Sequence, residues 1–193
     1  MAKAETKGKR NRDSLISAAA RLFWQRGYFA TSIADLAVDA NIPVGNIYYY
    51  FRSKADVAYA VADGFVLDTE DMIAEIIAAS PVPRSRLTAL VDRLGASQRS
   101  RLNHGCPVAG AMREFRLDAP KASARAAEVF SLISAFIASE IGRTGTRPAI
   151  ALSVGRAAVA EWQGGIILGS ALQETSVVAE SARRLARMVG VTV

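Results

Sequence analysis

Between residues 11 and 26, Leu15, Ala19, Leu22 and Phe23 recur at intervals of three and four, the spacing of one apolar helix face. Gly27 follows and stops that helix. In "TSIADLAVDANIPVG", Ser32 and Asp35 stand in capping-box register, which opens a short second helix with Ile33, Leu36 and Ala37 on its inner face. Asn41 suits a left-handed turn, and Pro43 suits the start of another helix. That third helix covers about Val44 to Tyr50, with Ile47 and Phe51 four apart and buried together. Ser53 and Asp56 repeat the capping pattern and open a longer helix over about 54–79. Pro81 and Pro83 break the pattern. Further helices are predicted over about 84–102, 108–117, 120–141, 148–172 and 174–189, with "RTGTRP" as a loop. The prediction is an all-α chain of about nine helices.

Composition supports this. Alanine is common, β-branched runs are few, and about half of the 193 residues are apolar, enough for a sizeable core. Charge then divides the chain. Residues 1–55 hold nine Lys/Arg against four Asp/Glu, a surplus of +5 out of a total of +6. A polyanionic partner accounts for that asymmetry, and nucleic acid is the commonest one. A solubilising tail is the alternative, because Lys3, Lys7, Lys9, Arg10 and Arg12 crowd the first dozen positions. Residues 1–10 are expected to be mobile. We divide the chain into an N-terminal module, 1–55, and a C-terminal domain, 56–193, with the boundary inside the fourth helix.

The third helix holds three consecutive tyrosines, Tyr48, Tyr49 and Tyr50. Successive helical side chains point about 100° apart, so one buried stripe cannot take all three. Spacing predicts Tyr48 half-buried beside Ile47 and Phe51, with Tyr49 and Tyr50 outward. Two short helices joined by a tight turn and braced by a longer one form a helix-turn-helix, whose second helix enters the major groove of DNA. Phenol hydroxyls can then bond phosphates, and ring edges can touch thymine methyls. Gly45 would let the backbone come close to DNA. Lys54, at a helix start, would meet phosphate, as would Thr31 and Ser32. The candidate DNA contacts are Thr31, Ser32, Pro43, Val44, Gly45, Asn46, Tyr48, Tyr49, Tyr50 and Lys54.

The run "TSIADLAVDANIPVGNIYYYFRSKADV" resembles the DNA-binding signature of the TetR family of bacterial transcriptional regulators. Threonine, caps, turn, aromatics and lysine recur there at fixed spacing, and the likeness covers about residues 10–60. Asn41 stands where the family has a turn glycine. Pro43 and Val44 replace a common Ser-Lys pair, which removes one expected DNA contact. The resemblance implies an all-helical homodimer, an N-terminal domain on double-stranded operator DNA, and a larger C-terminal domain that binds a small effector. It implies a repressor more readily than an activator. The segment "NHGCPVAGAMREF" is similar to one in some members, where Gly-Cys-Pro starts a helix.

The last two helices are rich in small residues, which allow close helix approach. They include Gly155, Ala157, Ala158, Ala160, Gly164, Gly165 and Gly169. By the resemblance these helices form the dimer interface, with Gly155, Ala158, Gly165, Gly169, Ala179, Arg183 and Ala186 as candidates; packing within the chain is the alternative. An effector pocket is expected among the middle helices. Its candidates are Phe65, Cys106, Met112, Phe115, Phe130, Phe136, Trp162 and Gln163, each of which is also a plausible core residue.

Cys106 is the sole cysteine, which excludes an internal disulfide. At a helix start near His104 and Arg113 it could instead sense oxidants or electrophiles, the alternative being a small buried apolar group. The sole histidine excludes multi-histidine metal sites. No phosphate loop or nucleophile elbow is present. We expect no enzyme, cofactor or metal. A helical adaptor without DNA is the remaining class. The basic N-terminus lacks an apolar stretch, so no secretory signal is expected. The apolar tract 149–172 carries Arg156, Glu161 and Gln163, which argues against a membrane span. A cytoplasmic protein is expected.

Overall fold

The computed structural model describes residues 7–96 and 98–192. Among them the chain forms ten helices and no strand: α1 Lys7–Arg26, α2 Ile33–Asp39, α3 Val44–Tyr50, α4 Lys54–Ala79, α5 Pro83–Gly95, α6 Gln98–His104, α7 Pro107–Asp118, α8 Pro120–Gly142, α9 Pro148–Leu172 and α10 Thr175–Met188. The all-α expectation holds. Two local expectations do not. The stretch expected to be mobile is helical from Lys7 onward; residues 1–6, Lys3 included, lie outside the described residues. The span expected as one helix over 84–102 is two, α5 and α6.

The break follows from how the end of α5 is satisfied. Gly95 is a weak helix residue, and Ala96 turns extended, with φ −66° and ψ 158°. The Leu94 carbonyl, left without a helical donor, accepts from the Arg101 guanidinium and from Trp162 Nε1 at 3.2 Å. Side chains from α6 and α9 thus take over where the ladder of α5 ends.

Contacts divide the chain into two compact units. One comprises Met1–Val66 and Val108–Ala127; the other comprises Leu67–Pro107 and Glu128–Val193. The N-terminal module is therefore larger than its first helices suggest. Its core joins Leu15, Ala19, Leu22 and Phe23 of α1 to Leu36 and Ala37 of α2 and Ile47 of α3. Phe115 of α7 and Ala122 and Ala126 of α8 complete that core.

In the second unit, small residues set the helix spacing. A Cβ built on Gly155 would stand 2.3 Å from the Ser134 carbonyl oxygen of α8. Equivalent atoms on Gly165 and Gly169 would stand 2.2 Å from Ser181 and 2.5 Å from Val178, both on α10. Ala158 and Ala186 are also buried. These five residues pack within the chain and are not on an outward dimer face. Sequence revealed that they are small, but not which side of the helix they occupy. Of the remaining interface candidates, Ala179 is half-buried and Arg183 is exposed.

The same unit contains a buried ion pair. Glu140 of α8 accepts two bonds from Arg86 of α5, at 3.2 and 3.4 Å. The same guanidinium donates to the carbonyls of Ser80 at 2.6 Å and Ile77 at 3.1 Å, around the end of α4. Burial of such a pair is tolerable because nearly every donor has an acceptor. Among the described residues α8 alone is long and apolar enough to cross a membrane by length and composition; its Val129, Ile133 and Ile137 are buried core residues.

Removing one partner strands the other charge. Glu140→Ala is expected to lower folding stability by about 3–5 kcal/mol, read as a drop in the urea midpoint; an unchanged midpoint would show that Arg86 is satisfied without it.

Candidate nucleic-acid interface

Local sequence builds the candidate reading helix. Ser32 caps α2: its hydroxyl accepts from the Asp35 N–H at 3.1 Å, while the Asp35 carboxylate accepts from the Ser32 N–H at 2.7 Å. Hydrogen bonds from Ser32 hold that carboxyl below the usual carboxylate range. Asn41 adopts φ +54°, the left-handed turn for which asparagine is suited. Pro43 then N-caps α3 with φ −55°. At α4, Ser53 Oγ accepts from the Asp56 N–H at 3.1 Å, but the Asp56 carboxylate accepts from Arg52 N–H rather than from Ser53.

The tyrosines do not divide as their order suggested. Ile47 is fully buried, while Tyr48 is 59% and Tyr49 84% exposed. Tyr50 is half-buried against the core. Helical geometry explains the exchange between Tyr48 and Tyr50. Position 50 lies about 60° from Ile47 around the axis, and position 48 about 100°. Tyr50 therefore sits nearer the buried stripe. Tyr49 and Tyr50 meet edge-on, with centroids 5.1 Å apart, so the half-buried ring backs the exposed one.

Around these rings Pro43, Val44, Gly45 and Asn46 are all exposed. Gly45 is informative. A Cβ built there meets nothing within 4 Å. Glycine inside a helix costs about 1 kcal/mol relative to alanine, and nothing in the chain's own packing requires it.

Two of the sequence-derived contacts have internal roles. Thr31 is 1% exposed, and its hydroxyl donates to the Gly27 carbonyl at 2.8 Å. It braces the corner between α1 and α2 and is not available to phosphate. The Lys54 ammonium stands 4.2 Å from the centre of the Tyr28 ring. Burial pulls its pKa down, while Asp118, Asp35 and Glu114 oppose that shift. Lys54 thus ties α4 to a knot around Tyr28. The Tyr28 N–H donates to Glu114 and its hydroxyl to Asp118, both on α7. Burial, then the Asp118 carboxylate, raises the phenol well above its ordinary pKa, so it remains a donor.

Sequence reasoning missed other cations. Arg52 is exposed immediately after α3. Lys7 and Arg10 are exposed on the first turn of α1, and the Tyr50 hydroxyl lies 4.0 Å from a Cβ built on Gly8. The start of α1 thus lies beside the end of α3. The charge count contained this signal, but a run of basic residues at a chain end also fits a tail.

The candidate effector residues separate. Phe65, Met112 and Phe115 pack in the core of the first unit. There Phe115 meets Phe23 at 5.8 Å and Tyr28 at 5.1 Å between centroids. Cys106, Phe130, Phe136, Trp162 and Gln163 belong to the second unit. Arg101 lies over the Trp162 ring at 5.2 Å. Gln163 differs from the rest: its amide nitrogen and oxygen are both buried without a hydrogen-bond partner. Cys106 is 7% exposed and has Arg101 as its charged neighbour, whereas Arg113 is exposed. Among the described residues no three His, Cys, Asp or Glu side chains form a potential metal set.

Comparison with known proteins agrees with this geometry. Residues 15–61 match the family model described as bacterial regulatory proteins, tetR family. The chain is 24% identical over 173 residues to an uncharacterised HTH-type transcriptional regulator in the lacX 3' region of Lactococcus lactis subsp. lactis, covering 88% of each. It is 38% identical over 88 residues to the HTH-type transcriptional repressor KstR2 of Rhodococcus jostii, covering 45% of this chain and 43% of that one. Its fold is similar to that of SCO4454, a TetR-family transcriptional regulator from Streptomyces coelicolor. The TM-score is 0.81 at 17% identity, over 94% of this chain and 95% of that one.

Two substitutions on α3 separate display from stability. Gly45→Ala is expected to raise stability by about 0.5–1 kcal/mol and to weaken duplex binding, read by thermal melting and gel shift. Tyr49→Ala is expected to leave the melting temperature unchanged and to cost about 1–3 kcal/mol of binding; full affinity in both variants would remove this face from the interface.

Proposed function

We propose that this member of the TetR family of bacterial regulatory proteins is an operator-binding repressor, released from DNA by a small-molecule effector. Regulation of transcription through DNA is what the family match carries and what its named relatives are described as doing. They are regulators, a class without catalytic activity. One relative is named a repressor, which favours that sign here. The proposed place of action is the bacterial cytoplasm, where the operator is.

The observation that carries the reading is the uncovered face of α3. Gly45 faces open space, Tyr48 and Tyr49 stay largely exposed, and all three sit in the part of the chain that holds the cationic surplus. In this reading α3 enters the major groove, with Val44, Asn46, Tyr48 and Tyr49 toward base edges. Arg52, Lys7, Arg10 and Ser32 lie toward phosphate. Thr31 and Lys54 act indirectly, by fixing the frame.

A duplex with two half-sites needs two copies of α3, and we assign dimerisation to the outward side of α9. Ala157, Ala160, Gly164, Ile167 and Leu168 are exposed there. Most of them, with Arg184 and Met188, line a shallow groove of about 520 Å³. The small side chains would let a partner helix approach closely, and a twofold dimer is the commonest arrangement.

For the effector, Gln163 supports a contact in the second unit. A buried amide without partners is costly, and a ligand offering both a donor and an acceptor would relieve it. Helices α4 and α8 each contribute residues to both units, and α7 from Val108 onward belongs to the first, directly after a segment of the second that ends at Pro107. Effector binding would shift the population between dimer states that hold the two α3 helices at different separations. Only spacings near one DNA turn, about 34–36 Å or a multiple, engage both half-sites.

Selection of duplexes from a random pool at low salt is expected to yield a two-part site, with metabolites then screened for release. Recovery of no preferred duplex would overturn the reading. For the dimer, Ile167→Glu, at a position 67% exposed, is expected to give a folded monomer by sedimentation, with duplex affinity reduced by at least about tenfold.

A further inference from the structure

The second unit has a further cleft of about 650 Å³, which shares only Met188 with the groove on α9. It opens where the starts of α5 and α9 meet the ends of α8 and α10. Leu87, Ile141, Ile150, Val154 and Met188 line its walls. Ile150 and Met188 remain exposed although large and apolar. The volume falls within the range of about 300–1,000 Å³ that holds small organic ligands.

Its electrostatics are one-sided. Arg84 is the only ionisable residue on the described lining. Arg84 Nε donates to the Gly190 carbonyl at 2.9 Å, which fixes the guanidinium on the rim. Arg143, Arg147 and Arg187 adjoin lining residues in the chain. No carboxylate lines the cleft among the described residues. The nearest in sequence, Glu140, is buried and held by Arg86 at 3.2 Å; Arg143 approaches it at 3.7 Å. Thr144 adds no free donor, since its hydroxyl bonds the Ile141 carbonyl at 2.7 Å. An apolar trough with a cationic rim suits a molecule with an apolar body and one anionic end. A neutral or cationic amphiphile would gain the walls but not the rim.

We propose that this cleft binds an anionic amphiphile, a carboxylate on an aliphatic body, with the head on Arg84 and the body against Leu87, Ile150 and Val154. The site does not include Gln163, so it stands apart from the effector contact assigned above and does not depend on DNA binding.

Calorimetric titration of the full-length protein with decanoate, decanol and decyltrimethylammonium, without DNA, tests this. Decanoate is expected to saturate at one molecule per chain, with the other two at least about tenfold weaker. Ile150→Trp fills the trough from an exposed position, and Arg84→Gln removes the charge; each is expected to weaken decanoate by at least about tenfold. Arg84→Lys is expected to recover part of the loss, and Gln163→Leu to bind as wild type. Circular dichroism melting confirms that each variant folds. The proposal is overturned if wild type does not bind decanoate, if decanol binds as tightly, or if both cleft variants bind normally. A change in sedimenting mass caused by Ile150→Trp would also overturn it, because the cleft would then be a contact between copies of the chain.

Discussion

The ring of Tyr28 is the point on which the first unit turns. It is buried at the corner between α1 and α2, edge-on to Phe23 at 5.2 Å and to Phe115 at 5.1 Å. Its N–H and hydroxyl donate to Glu114 and Asp118, and the Lys54 ammonium sits over its face. An aromatic ring attracts a cation at its face while its polar end needs a partner once buried. One residue therefore ties together the corner before α2, the start of α4 and the last turns of α7. The short helices α2 and α3 have seven residues each and could not hold themselves in water. Their presentation depends on that frame.

The frame also explains how side chains divide between holding and displaying. Thr31, Tyr50 and Lys54 resemble contact residues in sequence but brace the structure. Tyr48, Tyr49 and Gly45 carry no comparable internal load. A display surface works when its outer side chains are positioned by neighbours that do not themselves move. The edge-on contact between Tyr49 and Tyr50 is a small instance of this. Glu114 and Asp118 grip the corner before α2, while residues on either side of the segment 108–127 belong to the second unit. A change in the second unit thus has a covalent route to the corner.

In the second unit, close approach of helices replaces bulky packing. Gly155, Gly165 and Gly169 bring α9 against α8 and α10, and Ser181 Oγ donates to the Glu161 carbonyl at 2.7 Å across the same seam. That seam leaves the other side of α9 bare, with Ile167 and Leu168 on it. The inward glycines and the outward Ala157, Ala160 and Gly164 alternate along one helix. A list of small residues therefore mixes two surfaces, one packed and one exposed.

The sequence by itself determined the elements and their caps: the stripe of α1, the Ser32–Asp35 box, the left-handed Asn41, and the all-helical class. These are set by residues within four positions of one another, so local order contains them. It also determined that the cations gather at the N-terminal end. Helical spacing from Ile47 favours Tyr50 over Tyr48 as the inward ring, but only the tertiary structure supplied the core against which Tyr50 packs. The interruption between α5 and α6, the pairing of Arg86 with Glu140 and the inward turn of the glycines were likewise decided by contacts distant in sequence. Burial and partner choice at those positions depend on what arrives from elsewhere in the chain, and no local pattern encodes that.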